Sequence, residues 1–113
     1  MNRGDIVIVV AQGDYGKPRP GIVVQADELE QETSSVLICP ISSDIRPMRY
    51  LRPIVDPTER NGLEVRSQIM TDKINALPRE RMRRVIGSLD RSTMMQLNGA
   101  LMTILGLAAS TQP

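Results

Sequence analysis

The sequence has no histidine, no phenylalanine and no tryptophan, and it has two tyrosines and one cysteine among 113 residues. Without histidine, a Ser-His-Asp triad and a histidine acid–base pair are excluded. The lone Cys39 makes no internal disulfide, and with no cluster of cysteines the usual zinc sites are excluded too. Cys39 stands in an apolar run and reads as a small core residue. So few aromatics argue against a non-catalytic SH3-like module that holds peptides on aromatic side chains. No apolar run approaches the ~20 residues of a membrane span. No apolar stretch of signal-peptide length follows Met1–Asp5. These features predict a cytoplasmic protein. Any proton transfer it performs runs through Arg, Lys, Ser, Thr, Tyr, Asp or Glu.

Hydrophobic residues make up 41% of the chain, enough for one globular domain over residues 1–113. Ile6–Ala11 is a continuous Val/Ile run of strand length. Residues 12–18 form a loop by their Gly and Pro content, and Gly21–Gln25 is a second strand. The acidic stretch 27–35 is a loop, and Val36–Ile41 is a third strand, with Pro40 marking an edge or an end. Arg49–Val55 alternates as a strand with one wet face. A turn centres on Asn61-Gly62. Ser67–Ile74 is a short strand stopped by Pro78, residues 79–82 are a helical turn, and Arg83–Gly87 is the last strand. Asp90 is an N-cap candidate, and Met94, Leu97, Leu101, Ile104 and Ala108 form a helical stripe aimed at a core. Met95 and Met102, one heptad apart, read as core filler in preference to a contact face for a partner subunit. Many short strands and one terminal helix predict a mainly β fold, a small, mostly antiparallel barrel with a C-terminal α-helix.

The net charge of +1 hides a split. Residues 1–45 carry three basic and seven acidic groups, a net of −4, and residues 46–113 carry eleven and six, a net of +5. A basic half suits a nucleic acid or an acidic peptide, unless the halves interleave and the fields cancel. Arg79, Arg81, Arg83 and Arg84 read as a solvated face in preference to a binding patch.

Two short stretches carry candidate chemistry. In Pro18-Arg19-Pro20 each proline fixes its own φ, and Pro20 holds Arg19 extended. A guanidinium on so rigid a stem can fork onto phosphate oxygens and meet charge developing on a phosphorane. Taken alone, the tripeptide fits a surface turn or an ion pair better. In Cys39-Pro40-Ile41-Ser42-Ser43-Asp44 two hydroxyls emerge at a strand end, where a serine can hydrogen-bond phosphate; alone, this too fits an ordinary turn.

In order and spacing, Arg3-Gly4-Asp5-Ile6-Val7, Arg19-Pro20-Gly21-Ile22-Val23-Val24 and Pro40-Ile41-Ser42-Ser43 resemble the MazF/PemK toxin family. Gly62–Ser67, Asp72-Lys73-Ile74, and Gly87-Ser88-Leu89-Asp90 with the helix behind it extend the resemblance over nearly the whole chain. The resemblance implies an SH3-like barrel working as a homodimer, inhibited by a cognate antitoxin and cleaving single-stranded RNA at specific sequences without metal or other cofactor. The RNA's own 2′-OH attacks, leaving a 2′,3′-cyclic phosphate and a 5′-OH. Arg19 and Ser42 match the family's catalytic positions: Arg19 stabilises the phosphorane and helps protonate the leaving oxygen, and Ser42 orients the phosphate. Asp14, Tyr15, Gly16 and Lys17 are then a loop over the RNA, with Tyr15 stacking a base and Lys17 on phosphate. Ser43, Arg46 and Arg49 line the neighbouring loop, and Asp72 and Lys73 read base edges. The antitoxin is expected to be an acidic segment lying over the RNA groove and the Arg19 pocket.

The chain departs from the family pattern in a shorter loop before Arg19, in Ser at position 42 where Thr is common, and at Asn75–Pro78. The rival with the same fold is a gyrase poison of the CcdB type. That class acts through an aromatic C-terminal tail, which is missing in Ala108–Pro113, and it leaves Arg19 without a role.

Overall fold

The computed structural model describes residues 1–10, 17–48 and 50–107. The described strands are β1 (Asp5–Val10), β2 (Pro18–Val23), β3 (Ser35–Ser42), β4 (Ile54–Val55), β5 (Ser67–Ile69), β6 (Asn75–Pro78) and β7 (Met82–Ser88), followed by helix α1 (Arg91–Ile104). All pairings are antiparallel. The sheet runs β4-β5-β3-β2-β1-β7, with β6 also on β3. β3 is the hub. Its first half pairs β6, its last residues pair β5, and β2 lies along it as well. The outcome is the mainly β fold with a terminal helix that was expected, its antiparallel sheet curled into a half-barrel.

The apolar run of β1 is continuous because both faces of the sheet are covered. Ile6 packs with Ile22, Cys39, Ile41, Ile69 and the helix residues Leu97 and Leu101. Its neighbours Val7 and Val9 pack on the other side with Val23, Val36 and Ile38. Cys39 is fully buried, and burial pushes its thiol up to about 12, so it is the inert core residue expected. Asp90 caps α1, its carboxylate accepting from the Thr93 amide at 2.8 Å.

Several elements differ from expectation. β2 begins at Pro18, so both prolines and Arg19 lie in a strand and not ahead of it. The register explains why this is tolerated: β3 takes up its side of β2 at Gly21, opposite Pro40, so the missing proline N–H groups interrupt no ladder there. The strand expected over 49–55 shrinks to Ile54–Val55, because Leu51 and Arg52 both donate backbone hydrogen bonds to Met48 and curl the segment into a turn. The strand expected over 67–74 is split by a 3-10 turn at Thr71–Lys73, and its continuation, β6, crosses to the other half of β3. On α1, Leu97 and Leu101 are buried as expected, but Ile104 is exposed and Ala108 lies outside the described residues. Met95 and Met102 are exposed too, which rules out core filling.

Candidate active site

The β2–β3 register builds the site. Gly21 faces Pro40, Ile22 faces Cys39 and Val23 faces Ile38. The paired stretch stops at Gly21 and Pro40; Arg19, near the start of β2, and Ser42, at the end of β3, lie just beyond it. Two residues far apart in sequence thereby line one cavity of about 710 Å³. Its walls come from the ends of β2 and β3, from residues 62–67 and from β7.

The lining is an apolar floor with a few polar groups, the usual make-up of a ligand site. Ile8, Ile38, Pro40, Leu63 and Ile86 are in the floor, while Lys17, Arg19 and Arg84 supply cations and Glu64 one carboxylate. Ser43 and Asn75 also face it. The Ser42 hydroxyl oxygen accepts from the Asp44 amide at 3.0 Å. Its own hydrogen is therefore left to donate to a bound oxyanion.

Of the expected site residues, Lys17, Arg19, Ser42 and Ser43 come together here. Asp14, Tyr15, Gly16 and Arg49 lie outside the described residues. Arg46 and Lys73 line a second cavity, of about 610 Å³, that shares Ser42 and Met70 with the first. The Arg46 guanidinium bonds Asp44 at 2.7 and 3.0 Å. Asp72 lines neither cavity. Both of its oxygens accept from Arg52, at 2.8 and 2.9 Å, and the Arg52 hydrogen bonds hold its carboxyl below the usual range. Asp72 thus fastens the 3-10 turn to the preceding loop, a role the sequence did not reveal because its partner lies elsewhere in the chain.

Glu64 escaped the sequence reading, and Arg84 entered it only as one of an arginine run. The signal for Arg84 was the β1–β7 register, which pairs it with Ile8 and so sets it near Pro20. Its neighbours in the arginine cluster do other work. Arg79 donates to the Glu30 and Thr33 carbonyls, Arg81 to that of Val10 and Arg83 to that of Glu80. The cluster is therefore neither a uniform solvated face nor one binding patch.

A curled β half-barrel with a terminal helix, and a basic cavity lined by both a proline-flanked arginine and a strand-end serine, fits a small RNA-cleaving toxin. Residues 2–105 match the family of PemK-like, MazF-like toxins of type II toxin–antitoxin systems. A protein of Mycolicibacterium smegmatis named probable endoribonuclease MazF is 36% identical over 109 residues, covering 96% of this chain and 99% of that protein. The chain belongs to the MazF-like toxin family and is a toxin–antitoxin endoribonuclease. Several solved structures share its fold. A mycobacterial endoribonuclease in complex with its cognate antitoxin superposes with a TM-score of 0.80 at 21% identity, over 95% of this chain and 96% of that one. The Mycobacterium tuberculosis toxin MazF-mt6 gives 0.79 at 23% identity, over 91% and 97%. No helix among the described residues is long and apolar enough to cross a membrane.

Proposed function

We propose that the cavity between Arg19 and Ser42 is where single-stranded RNA is cut, with the RNA's own 2′-OH as nucleophile. The new bond joins the 2′-oxygen to phosphorus, the bond from phosphorus to the 5′-oxygen breaks, and the ends are a 2′,3′-cyclic phosphate and a 5′-OH. Such a reaction needs rigid cations and hydroxyls more than a protein nucleophile. Arg19 forks onto the equatorial oxygens as charge builds and assists protonation of the departing 5′-oxygen. Ser42 donates to the phosphate and holds it in line. Glu64 accepts the 2′-OH proton, and Lys17 and Arg84 hold flanking phosphates. Ser43, Arg46 and Lys73 face the RNA on either side of Ser42. Asp72, occupied by Arg52, shapes the turn that carries Lys73 and does not read a base.

The observation that carries this reading is that Arg19 and Ser42 line one cavity together with the cations Lys17 and Arg84. The protein acts as a homodimer in the cytoplasm, where transcripts are, and an acidic antitoxin segment covers the same cations.

The test is cleavage of a long RNA in EDTA with the ends mapped. Arg19→Ala is expected to lower the rate at least about a hundredfold, and Ser42→Ala about tenfold, the worth of one hydrogen bond in the transition state. Glu64→Gln is expected to lower kcat with KM little changed. Cuts that persist unchanged in Arg19→Ala, or that vanish in EDTA, overturn the reading. Full activity in the presence of an acidic antitoxin segment would count against its place over the cavity.

A further inference from the structure

We propose that Gln68 is a positioning residue for cleavage, acting on Ser42 through the backbone of Arg46. The inference rests on the reading of Ser42 given above. Gln68 is the direct cross-strand partner of Ser42 in the β3–β5 ladder and is fully buried. A buried primary amide is costly unless both its ends are bonded. Here they are, and to one residue: the Gln68 carbonyl oxygen accepts from the Arg46 amide at 2.9 Å, and its NH2 donates to the Arg46 carbonyl at 2.9 Å. The side chain thus grips Arg46 as a neighbouring strand would.

The grip passes to the hydroxyl in two steps. Arg46 reaches back to the Asp44 carboxylate, and the Asp44 amide donates to the Ser42 hydroxyl oxygen. That last bond leaves the Ser42 hydrogen as the one group its hydroxyl can offer a phosphate. The residues between Ser42 and Arg46 are exposed and belong to no strand. Gln68 is therefore the buried anchor that gives this loop one conformation. Ser42 lines both cavities, so the same anchor keeps the wall between them in place. A site built on a loop needs such support to hold reacting groups within fractions of an ångström.

The test is a double-mutant cycle on a short RNA carrying the cut sequence. Gln68→Met keeps the volume and removes both hydrogen bonds. The expected result is a folded protein with kcat down about tenfold, KM within about threefold, and no further loss when Gln68→Met is added to Ser42→Ala. Losses that multiply in the double variant overturn the proposal, because Gln68 would then act on something other than Ser42. An unchanged kcat in Gln68→Met overturns it as well. If Ser42→Ala alone leaves kcat untouched, Ser42 has no part in the reaction, and the reading of the cavity falls with the inference. Should Gln68→Met fold poorly, Gln68→Asn, one methylene short of Arg46, replaces it in the cycle. Amide exchange at Arg46 in the RNA-free protein reads the grip itself: protected in the parent and fast in either variant, or, against the proposal, equally fast in all.

Discussion

At the scale of single residues, the role of a charged group is decided by its partner. Arg52 keeps 9% of its side-chain surface and Asp72 keeps 23%, so their two-point ion pair is largely withdrawn from water. Asp72→Asn leaves Arg52 with half a partner and is expected to cost about 2 kcal/mol, measured by urea denaturation. The pH dependence has a definite sign. The pair favours the ionised carboxylate in the folded state, which depresses the Asp72 pKa. Its contribution is therefore intact above the ordinary aspartate value of about 4 and drains away as pH falls below that toward the depressed value. Stability curves for the parent and Asp72→Asn should converge as the buffer is acidified. Curves that stay parallel would mean that the ion pair adds nothing. The same reasoning explains what was legible here. Arg19 was readable because two prolines mark its backbone locally, whereas the commitment of Asp72 to Arg52 was not, because only folding brings them together.

At the scale of elements, the strands with continuous apolar runs were the legible ones. β1 carries an unbroken Val/Ile signal, and the later residues of β2 and most of β3 are apolar and buried, so each fell within a few residues of expectation. β4, β5 and β6 were not, because each is short and is held by the strand it meets more than by its own pattern. β6 exists because β3 offers it half an edge, and nothing in Asn75-Ala76-Leu77-Pro78 announces that. The wall of the cavity depends on a similarly non-local contact. Gly62 has φ +69°, and a Cβ there would run into the Ile86 carbonyl, while Gly87 packs as closely on Arg60 and Asn61. The segment lies against β7, with the Ser88 amide bonding the Arg60 carbonyl at 2.9 Å. Gly62→Ala combines a left-handed backbone with a backbone collision and is expected to cost at least about 2 kcal/mol. Its melting temperature should fall well below that of Gly99→Ala, a helical site whose added Cβ meets nothing. Equal melting temperatures would show that the 62–67 wall can move aside freely.

At the scale of the whole molecule, the charge split does not become two poles. β7 pairs with β1 and β6 with β3, so the basic second half of the chain is laced into the acidic first half. Met95 and Met102, one heptad apart on α1, are both exposed, a short apolar row suited to the second copy in the homodimer read above. Replacing Met95 and Met102 together by Asp is expected to shift the protein to monomers in light scattering; an unchanged mass would assign the row another occupant.

Positive potential survives the interleaving where it is useful, in the cavity. Lys17 and Arg19 from β2 and its approach meet Arg84 from β7, against one carboxylate, Glu64, among the described residues. If each cation neutralises one phosphate, a bound single strand releases counterions from about three phosphates, and the logarithm of its affinity falls with the logarithm of salt at a slope near −2, about −0.7 for each contact. The measurement is a salt titration of a single-stranded RNA whose 2′-OH groups are methylated so that it binds uncut. Arg84→Ala is expected to flatten the slope by about 0.7 and to weaken binding to all sequences alike, since a phosphate contact carries no base information. Arg84 was the cation hidden in an arginine run that its composition alone could not sort. A slope unchanged in Arg84→Ala would return it to the solvated surface with Arg83, whereas a loss confined to certain sequences would make it a reader of bases.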